Sequence, residues 1–136
     1  MDNYKDLIKQ LTKEDFESGK ANLHIHTTYS DGKAKFQDIV KQAKEGNYKD
    51  FAITDHNTVQ GHIDNPDTGA ITGVEFDVWY KYIFLHLLAY GIDVHNEKLG
   101  KFYAKDKRGT EADIVRFFSK RNIEELIDAI HDAGGI

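Results

Sequence analysis

Two histidines one residue apart, His24 and His26, lie a few residues before the tripeptide Ser30-Asp31-Gly32. In a β-strand, residues i and i+2 point to the same face, so both imidazoles can reach one ion. The Asp-Gly pair then predicts a turn that brings a carboxylate close to that ion. Imidazole and carboxylate together suit zinc, iron or manganese. The segment therefore predicts one rim of a divalent-metal site.

Further candidate ligands follow at the ends of, or within, later predicted strands: Asp55 with His56, then Glu75, then His86. The carboxyl ends of parallel strands are where α/β folds place their sites, so we expect these side chains to converge. Four imidazoles and up to three carboxylates exceed the needs of one ion, which predicts two or three. Two ions about 3.5–4 Å apart can share a hydroxide and clamp both oxygens of a phosphoryl transfer. Glu75, after the strand-like run 71–74, is placed to bridge two ions.

Two short strands flank a helix in the first half of the chain. Alternating residues predict a strand over 22–26, and the apolar run 51–54 predicts a second, buried strand. Apolar residues at helical spacing over 36–43 predict a helix that Gly46 ends. Strand–helix–strand succession favours parallel pairing with a crossover helix. An N-terminal helix within residues 1–20 is expected to precede this unit.

The second half begins with two β-rich runs, 71–80 and 82–90, which predict a hairpin. Two helices are expected after it, the first carrying Ile114, Phe117 and Phe118, and the second ending at a Gly-Gly pair before what reads as the approach to another strand. The capping pairs predicted for these helices are Thr110 with Asp113 and Asn122 with Glu125.

Bulk properties limit the function classes. The 136 residues suffice for one domain that buries a core. A formal net charge of −5, from 18 Lys and Arg against 23 Asp and Glu, argues against extended nucleic-acid binding. The lack of cysteine excludes disulfides and thiolate metal sites. The first twenty residues are too charged for a secretory signal, and no apolar run reaches the roughly 18 residues that span a membrane. A cytoplasmic location without membrane association is expected.

The remaining histidines, aromatic residues and basic residues are weaker candidates for a functional role. His62 is expected in a loop, either as a plain loop residue or close to the substrate. His95 is expected to be solvated after a turn, and His131 to lie near the end of a helix, where a cation is favourable. The aromatic residues between 76 and 82 are expected to pack the hairpin. Basic residues between 101 and 108 either steer a phosphate or form a solvated helix face; they are Lys101, Lys105, Lys107 and Arg108.

Five segments in order resemble the polymerase and histidinol phosphatase (PHP) family: LHIHTTYSDG, FAITDHNTVQGH, ITGVEF, HLLAYGID and AIHDAGGI. They are spread over residues 21–136, with a stretch without resemblance at 94–122. The resemblance implies an α/β fold, a distorted (β/α)7 barrel with a trinuclear metal centre at the carboxyl ends of its strands. It also implies metal-dependent phosphoesterase activity.

The resemblance further implies a role for each candidate residue. Asp55 is expected to orient neighbouring ligands by hydrogen bonding rather than to bind an ion. Six residues match family ligands: His24 and His26 for a first ion, Glu75 as the bridge to a second, His86 for the second, and Asp31 and His56 for a third.

Members of the family continue after Gly-Gly-Ile with a strand bearing Ala-His-Pro and later with an Asp-x-His pair, and residues 1–136 end before both. We therefore expect a single PHP-like domain, an N-terminal helix 1–20 and a barrel segment 21–136, that is incomplete at its C-terminal end. Each ion would lack one family ligand. The open barrel edge of such a chain invites self-association.

The expected function is metal-dependent hydrolysis of a small phosphorylated substrate. This would be a phosphomonoester or small phosphodiester, such as a nucleotide, attacked by a metal-bridging hydroxide without a protein nucleophile. Two or three ions of zinc, manganese or iron are the expected cofactors. Three alternatives stay open: a histidinol-phosphate-type phosphatase, a nuclease or polymerase-associated module, and a metal-binding or interaction fragment without turnover.

Overall fold

A computed structural model describes residues 4–117 and 119–136. Four strands form one sheet in sequential order, the first three parallel and the fourth antiparallel to the third. The sheet is curled, because the Tyr90 hydroxyl on its last strand donates to the Leu23 carbonyl on its first at 2.6 Å. The α/β class is confirmed, as half of a barrel, whereas the seven-strand count stays a prediction. The strands are β1 (Ala21–Ile25), β2 (Asp50–Ile53), β3 (Ile71–Tyr80) and β4 (Ile83–Tyr90).

Short helices connect and flank the strands. No helix in the described part of the chain is long and apolar enough to cross a membrane. The helices are α1 (Tyr4–Lys9), α2 (Lys13–Glu17), α3 (Phe36–Glu45), α4 (Gln60–Asp64), α5 (Glu97–Gly100), a 3-10 helix (Lys107–Thr110), α6 (Ala112–Val115) and α7 (Ile123–Asp132).

The predicted single N-terminal helix is wrong, since two short helices occupy that segment. Thr12 interrupts it by capping α2: its hydroxyl accepts from the Asp15 N–H at 3.3 Å, and the Asp15 carboxylate accepts from the Thr12 N–H at 2.8 Å. This reciprocal capping box starts a new helix instead of continuing the old one. Residues 1–3 lie outside the described part of the chain.

The predicted parallel unit is confirmed: α3 crosses over between β1 and the parallel β2. Its buried face contributes Phe36, Val40 and Ala43, spaced three and four residues apart, to one core with Phe51 and Ile53. This spacing places the three side chains on one side of a helix.

The predicted hairpin is confirmed as β3 and β4. Val74, Phe76 and Val78 point into a second core that includes Leu126 and Ala129 of α7. Because side chains alternate along a strand, the residues between these three point to the opposite face. The aromatic prediction holds only in part: Phe76 is buried, but Tyr82 at the turn is 97% exposed.

One of the two predicted caps is wrong. The Thr110 hydroxyl donates to the Lys107 carbonyl at 2.7 Å inside the 3-10 helix, and α6 follows with no side-chain cap. Asn122 does cap α7, accepting from the Glu125 N–H at 3.0 Å. Phe118 lies outside the described residues.

The last residue already lies beside the sheet. Ile136 and Tyr90 exchange both backbone hydrogen bonds, at 3.0 and 2.8 Å. Two residues that exchange both hydrogen bonds belong to antiparallel segments. The chain at Ile136 therefore runs antiparallel to β4 and parallel to β3.

Candidate metal centre

Side chains that can bind metal ions converge on the sheet face opposite the α7 core. They form three overlapping groups, in each of which the donor atoms lie within 4.8 Å of one another. All six candidates from the sequence belong to these groups, together with one residue that the sequence analysis missed, Asp77. The groups are His24, His26 and Glu75; His26, Asp31 and His56; and His56, Glu75, Asp77 and His86.

Glu75 joins two of the groups through its two oxygens. Oε1 contacts the Nε2 atoms of His24 and His26, the latter at 3.0 Å. Oε2 lies 3.1 Å from Nδ1 of His86 and 3.5 Å from Nδ1 of His56. Each of the two Glu75 oxygens therefore faces a different pair of imidazoles.

The pKa values show that this cluster favours positive charge. Burial raises the pKa of Glu75, but hydrogen bonding to His26 and the charge of His56 lower it further, to about 2. Burial lowers the pKa of His26 and of His56, but neighbouring carboxylates outweigh it and leave both pKa values raised. Glu75 is thus ionised at neutral pH and attracts protons or other cations.

Asp31 lies between two imidazoles on a tight loop. Its Oδ1 is 2.7 Å from Nδ1 of His26, and its Oδ2 is 3.3 Å from Nε2 of His56. Gly32 makes this approach possible, because a Cβ there would lie 2.5 Å from the His26 carbonyl oxygen. The Gly32 N–H donates to the Thr27 carbonyl at 2.9 Å, which closes the loop.

Asp55 belongs to none of the three groups found among the described residues. It is buried, and its oxygens accept from the Thr27 N–H at 2.6 Å, the Thr27 hydroxyl at 2.7 Å and the Ser30 hydroxyl at 2.7 Å. These bonds fix the loop that carries Asp31.

Asp77 is fully buried beneath two of the candidate ligands. Its Oδ1 lies 2.6 Å from Nδ1 of His86, and its Oδ2 lies 3.0 Å from Nδ1 of His56. The Asn57 side chain donates to Oδ2 at 2.7 Å. The i, i+2 rule that paired His24 with His26 also puts Asp77 on the same face as Glu75, so that signal was present in the sequence.

The centre opens into a cavity of about 300 Å³, lined by the histidines and Glu75 on one side and by Phe84, Asp113 and Arg116 on the other. The Arg116 guanidinium lies 5.3 Å from the centre of the Phe84 ring. The Trp79 indole N–H donates to the Arg116 carbonyl at 2.9 Å and holds this part of the chain. Sequence reasoning missed Arg116, since only the tertiary structure brings it to the cavity.

The remaining histidines lie elsewhere. His62 is not in a loop as predicted: it is buried in α4, and its Nε2 is 2.8 Å from the Ile53 carbonyl oxygen. Burial lowers its pKa. His95 is exposed, and His131 is in the last turn of α7, as expected.

Comparison with known proteins gives similarity over most of the chain. The family model of the PHP domain matches residues 22–134. An uncharacterised protein of Methanocaldococcus jannaschii is 30% identical over 134 residues, covering 86% of this chain and 64% of that protein. A PolC-type DNA polymerase III of Staphylococcus saprophyticus is 37% identical over 71 residues, which cover 50% of this chain and 5% of the polymerase. This chain thus spans less than two thirds of either relative.

A solved structure shares the fold. The crystal structure of a Bifidobacterium adolescentis protein assigned as a metal-dependent phosphoesterase aligns with a TM-score of 0.64 and 18% sequence identity. The alignment covers 86% of this chain and 65% of the other. At this identity the likeness concerns the arrangement of helices and strands.

Proposed function

The chain belongs to the PHP family, and we propose that it is a metal-dependent phosphoesterase that holds two or three divalent ions. The observation that carries the proposal is the division of the Glu75 carboxylate between two histidine groups. The donor set supports it, because imidazole nitrogens and carboxylate oxygens suit zinc, manganese and iron. The proposed ligands are His24, His26, Asp31, His56, Glu75 and His86.

Divalent ions supply Lewis-acid chemistry, neutralising phosphate oxygens and making water nucleophilic at neutral pH. The residues of the chain position the reactants around them. Asp77 contacts Nδ1 of His56, and Nε2 of the same imidazole faces Asp31, where it is available for an ion. Asp77 also contacts Nδ1 of His86 and orients that ring. Arg116 at the mouth attracts the phosphate and fixes its approach.

We infer a small substrate, a phosphomonoester or a small phosphodiester. The cavity of about 300 Å³ at the centre accommodates a phosphate and a compact ester group. A histidinol-phosphate-type substrate satisfies the same geometry. The acidic net charge of −5 disfavours a long nucleic acid as substrate.

The test is hydrolysis of p-nitrophenyl phosphate and of its bis ester after EDTA treatment and reloading with Mn²⁺ or Zn²⁺. We expect no activity in EDTA, recovery with metal, and a loss of at least about 100-fold in Glu75→Gln. His95→Ala, an exposed histidine outside the three groups, is the control and should keep full activity. Metal binding without hydrolysis would favour the non-catalytic alternative, and an active Glu75→Gln would refute the proposed bridge.

A second candidate, a nuclease or polymerase-associated module, has one specific observation in its favour. This is the similarity to a DNA polymerase III over half of the chain. The discriminating measurement is binding and cleavage of single-stranded DNA at several salt concentrations, with Mn²⁺ present. Tight binding that weakens steeply with salt, and cleavage lost in Glu75→Gln, would favour this candidate.

A further inference from the structure

A second and larger cavity, about 700 Å³, lies between the segment 101–109 and the start of α7. It shares no lining residue with the cavity of the metal centre. Its volume falls within the range of small-molecule sites in proteins. We call it the cationic cavity, after the five basic residues that line it: Lys101, Lys105, Arg108, Lys120 and Arg121.

The lining of this cavity is positively charged, whereas the chain as a whole is negatively charged. Its lining holds five basic residues and two acidic ones, Asp106 and Glu125, a formal excess of three positive charges, whereas the whole chain carries −5. The Asp106 carboxylate is engaged locally, accepting from the Gly109 N–H at 3.2 Å. Among residues 4–117 and 119–136, no ion pair joins any of the five basic residues to a carboxylate.

The Arg121 side chain, in the wall of the cavity, is held in place by hydrogen bonds. It is half-buried; its Nε donates to the Phe102 carbonyl at 3.0 Å, and its Nη1 donates to the Asp77 carbonyl at 2.9 Å and to the Ser119 hydroxyl at 3.3 Å. These partners are neutral groups that orient the guanidinium, and its charge also interacts with the buried Asp77 carboxylate. In the described part of the chain no partner is found for Nη2. A preoriented guanidinium of this kind is suited to bind a phosphate.

The basic residues between 101 and 108 do not all face the same cavity. Lys107 turns away and donates to the Thr28 carbonyl at 3.3 Å and to the Ser30 carbonyl, which ties the segment to the metal-centre loop. Lys101, Lys105 and Arg108 instead line the cavity beside Arg121. Phe102 and Tyr103 add apolar wall between the charges.

We propose that the cationic cavity is a second ligand site, which binds the di- or triphosphate group of a small molecule independently of the metal centre. The excess of positive charge attracts a polyanion, and Arg121 supplies a fixed donor for one of its phosphates. Either a free polyphosphate or a nucleotide supplies this chemistry. The proposal goes beyond the phosphoesterase function and does not depend on it.

The test is calorimetric titration of the chain with pyrophosphate and, separately, with ATP, in EDTA at low salt. We expect saturable 1:1 binding of both. Tighter binding of ATP would identify a nucleotide as the ligand, and equal binding would identify a free polyphosphate. The triple variant Lys101→Gln/Lys105→Gln/Arg108→Gln should weaken binding by at least about tenfold. The control triple variant Lys33→Gln/Lys35→Gln/Lys44→Gln removes the same charge from exposed sites elsewhere and should bind normally.

Amide chemical shifts locate the ligand independently of the variants. Pyrophosphate should perturb the segments 101–109 and 119–125. Perturbations confined to His24, His26 and their neighbours would overturn the proposal, because they would place the anion at the metal centre. No saturable binding, or an equal loss in both triple variants, would overturn it as well.

Discussion

Glu75 and Asp77 are two buried carboxylates on one strand with different contacts. Glu75 touches the imidazoles through both oxygens and lies at the centre of the ligand groups. Asp77 is the more deeply buried and contacts only Nδ1 atoms of the histidines. A carboxylate on one ring nitrogen sets the tautomer and leaves the other nitrogen for a metal.

Asp77→Asn tests this positioning role. An amide cannot accept from both histidines and from Asn57, so one imidazole should lose its fixed tautomer. We expect metal affinity to fall about 10- to 100-fold, and nitrogen chemical shifts of His56 or His86 in the metal-free chain to report a changed tautomer.

Asn57→Gly is the matched control for Asp77→Asn. It removes a hydrogen bond to the same carboxylate, and glycine tolerates the φ of +57° at this position. Stability should fall, but the tautomers of both histidines should be unchanged. An equal tautomer change in Asn57→Gly would show that the tautomers depend on the local packing around Asp77 and not on its carboxylate alone.

Gly32→Ala should disturb the loop of Asp31. The added Cβ would meet the backbone of His26 at 2.5 Å, so the loop must shift. We expect a loss of about 1–3 kcal/mol in the free energy of unfolding and fewer ions bound per chain. Urea unfolding and metal analysis measure the two effects. Gly100→Ala, where a Cβ would meet open space, should change neither; unchanged metal content in Gly32→Ala would contradict the role of the loop.

At the level of secondary structure, the hairpin of β3 and β4 fixes the positions of Glu75, Asp77 and His86 relative to one another. The register pairs Asp77 with His86 and Glu75 with Leu88. A slip by one residue would exchange the two faces of the strand, moving both carboxylates into the α7 core. The packing of Phe76 on the core side therefore helps to fix the carboxylates on the other side.

The short helix α4 contains a buried histidine, His62, and protonation of this residue should lower the stability of the folded chain. Burial holds the pKa of His62 below its ordinary value of 6.5. The folded chain therefore resists a proton that the unfolded chain accepts, so this contribution to stability is full above pH 6.5 and is lost as the pH falls through the lower, folded-state pKa.

His62→Gln removes this titration and keeps an amide that can hydrogen-bond to the Ile53 carbonyl. Between pH 7 and pH 5, in EDTA, urea unfolding should show a smaller loss of stability in the variant than in the parent chain. Exposed His95→Gln, outside any helix, serves as the control and should follow the parent. Parallel curves for His62→Gln and the parent would rule out a buried neutral His62.

In the molecule as a whole, two cores support the sheet that carries the candidate ligands: α3 packs on β1 and β2, and α7 packs on β3 and β4. The ligand groups draw on β1, β3, β4 and the loops that follow β1 and β2. An ion bound there would link segments that unfolding separates. Metal binding and folding are therefore expected to be coupled.

This coupling predicts a stability gain of about 2.7 kcal/mol when the free metal is at 100 times its dissociation constant. Urea unfolding with Zn²⁺ or Mn²⁺ and with EDTA measures it. The gain should vanish in Glu75→Gln, and His95→Ala should retain it. Equal stability with and without metal in the parent chain would contradict a metal site in the folded state.

The local signals predicted much of the fold. Helical and alternating spacing identified α3, the parallel pair and the hairpin, because each pattern depends on neighbours within one element. The single N-terminal helix was wrong because the capping box at Thr12 starts a new helix. The Thr110 cap was wrong because the Thr110 hydroxyl bonds back to the Lys107 carbonyl instead. His62 was misjudged because its burial depends on contacts with Ile53 and Phe36, distant in the chain.

The candidate ligands and the family could be predicted from the sequence, because residue types and their spacing in short motifs carry that chemistry. How the candidate ligands are arranged around Glu75 depends on the tertiary structure. Curling of the sheet brings His24 and His86, on its opposite edge strands, to the two oxygens of one carboxylate. The tertiary structure also decides the place of Asp77, Arg116 and the cationic cavity. These depend on contacts between residues far apart in the chain, which spacing alone does not specify.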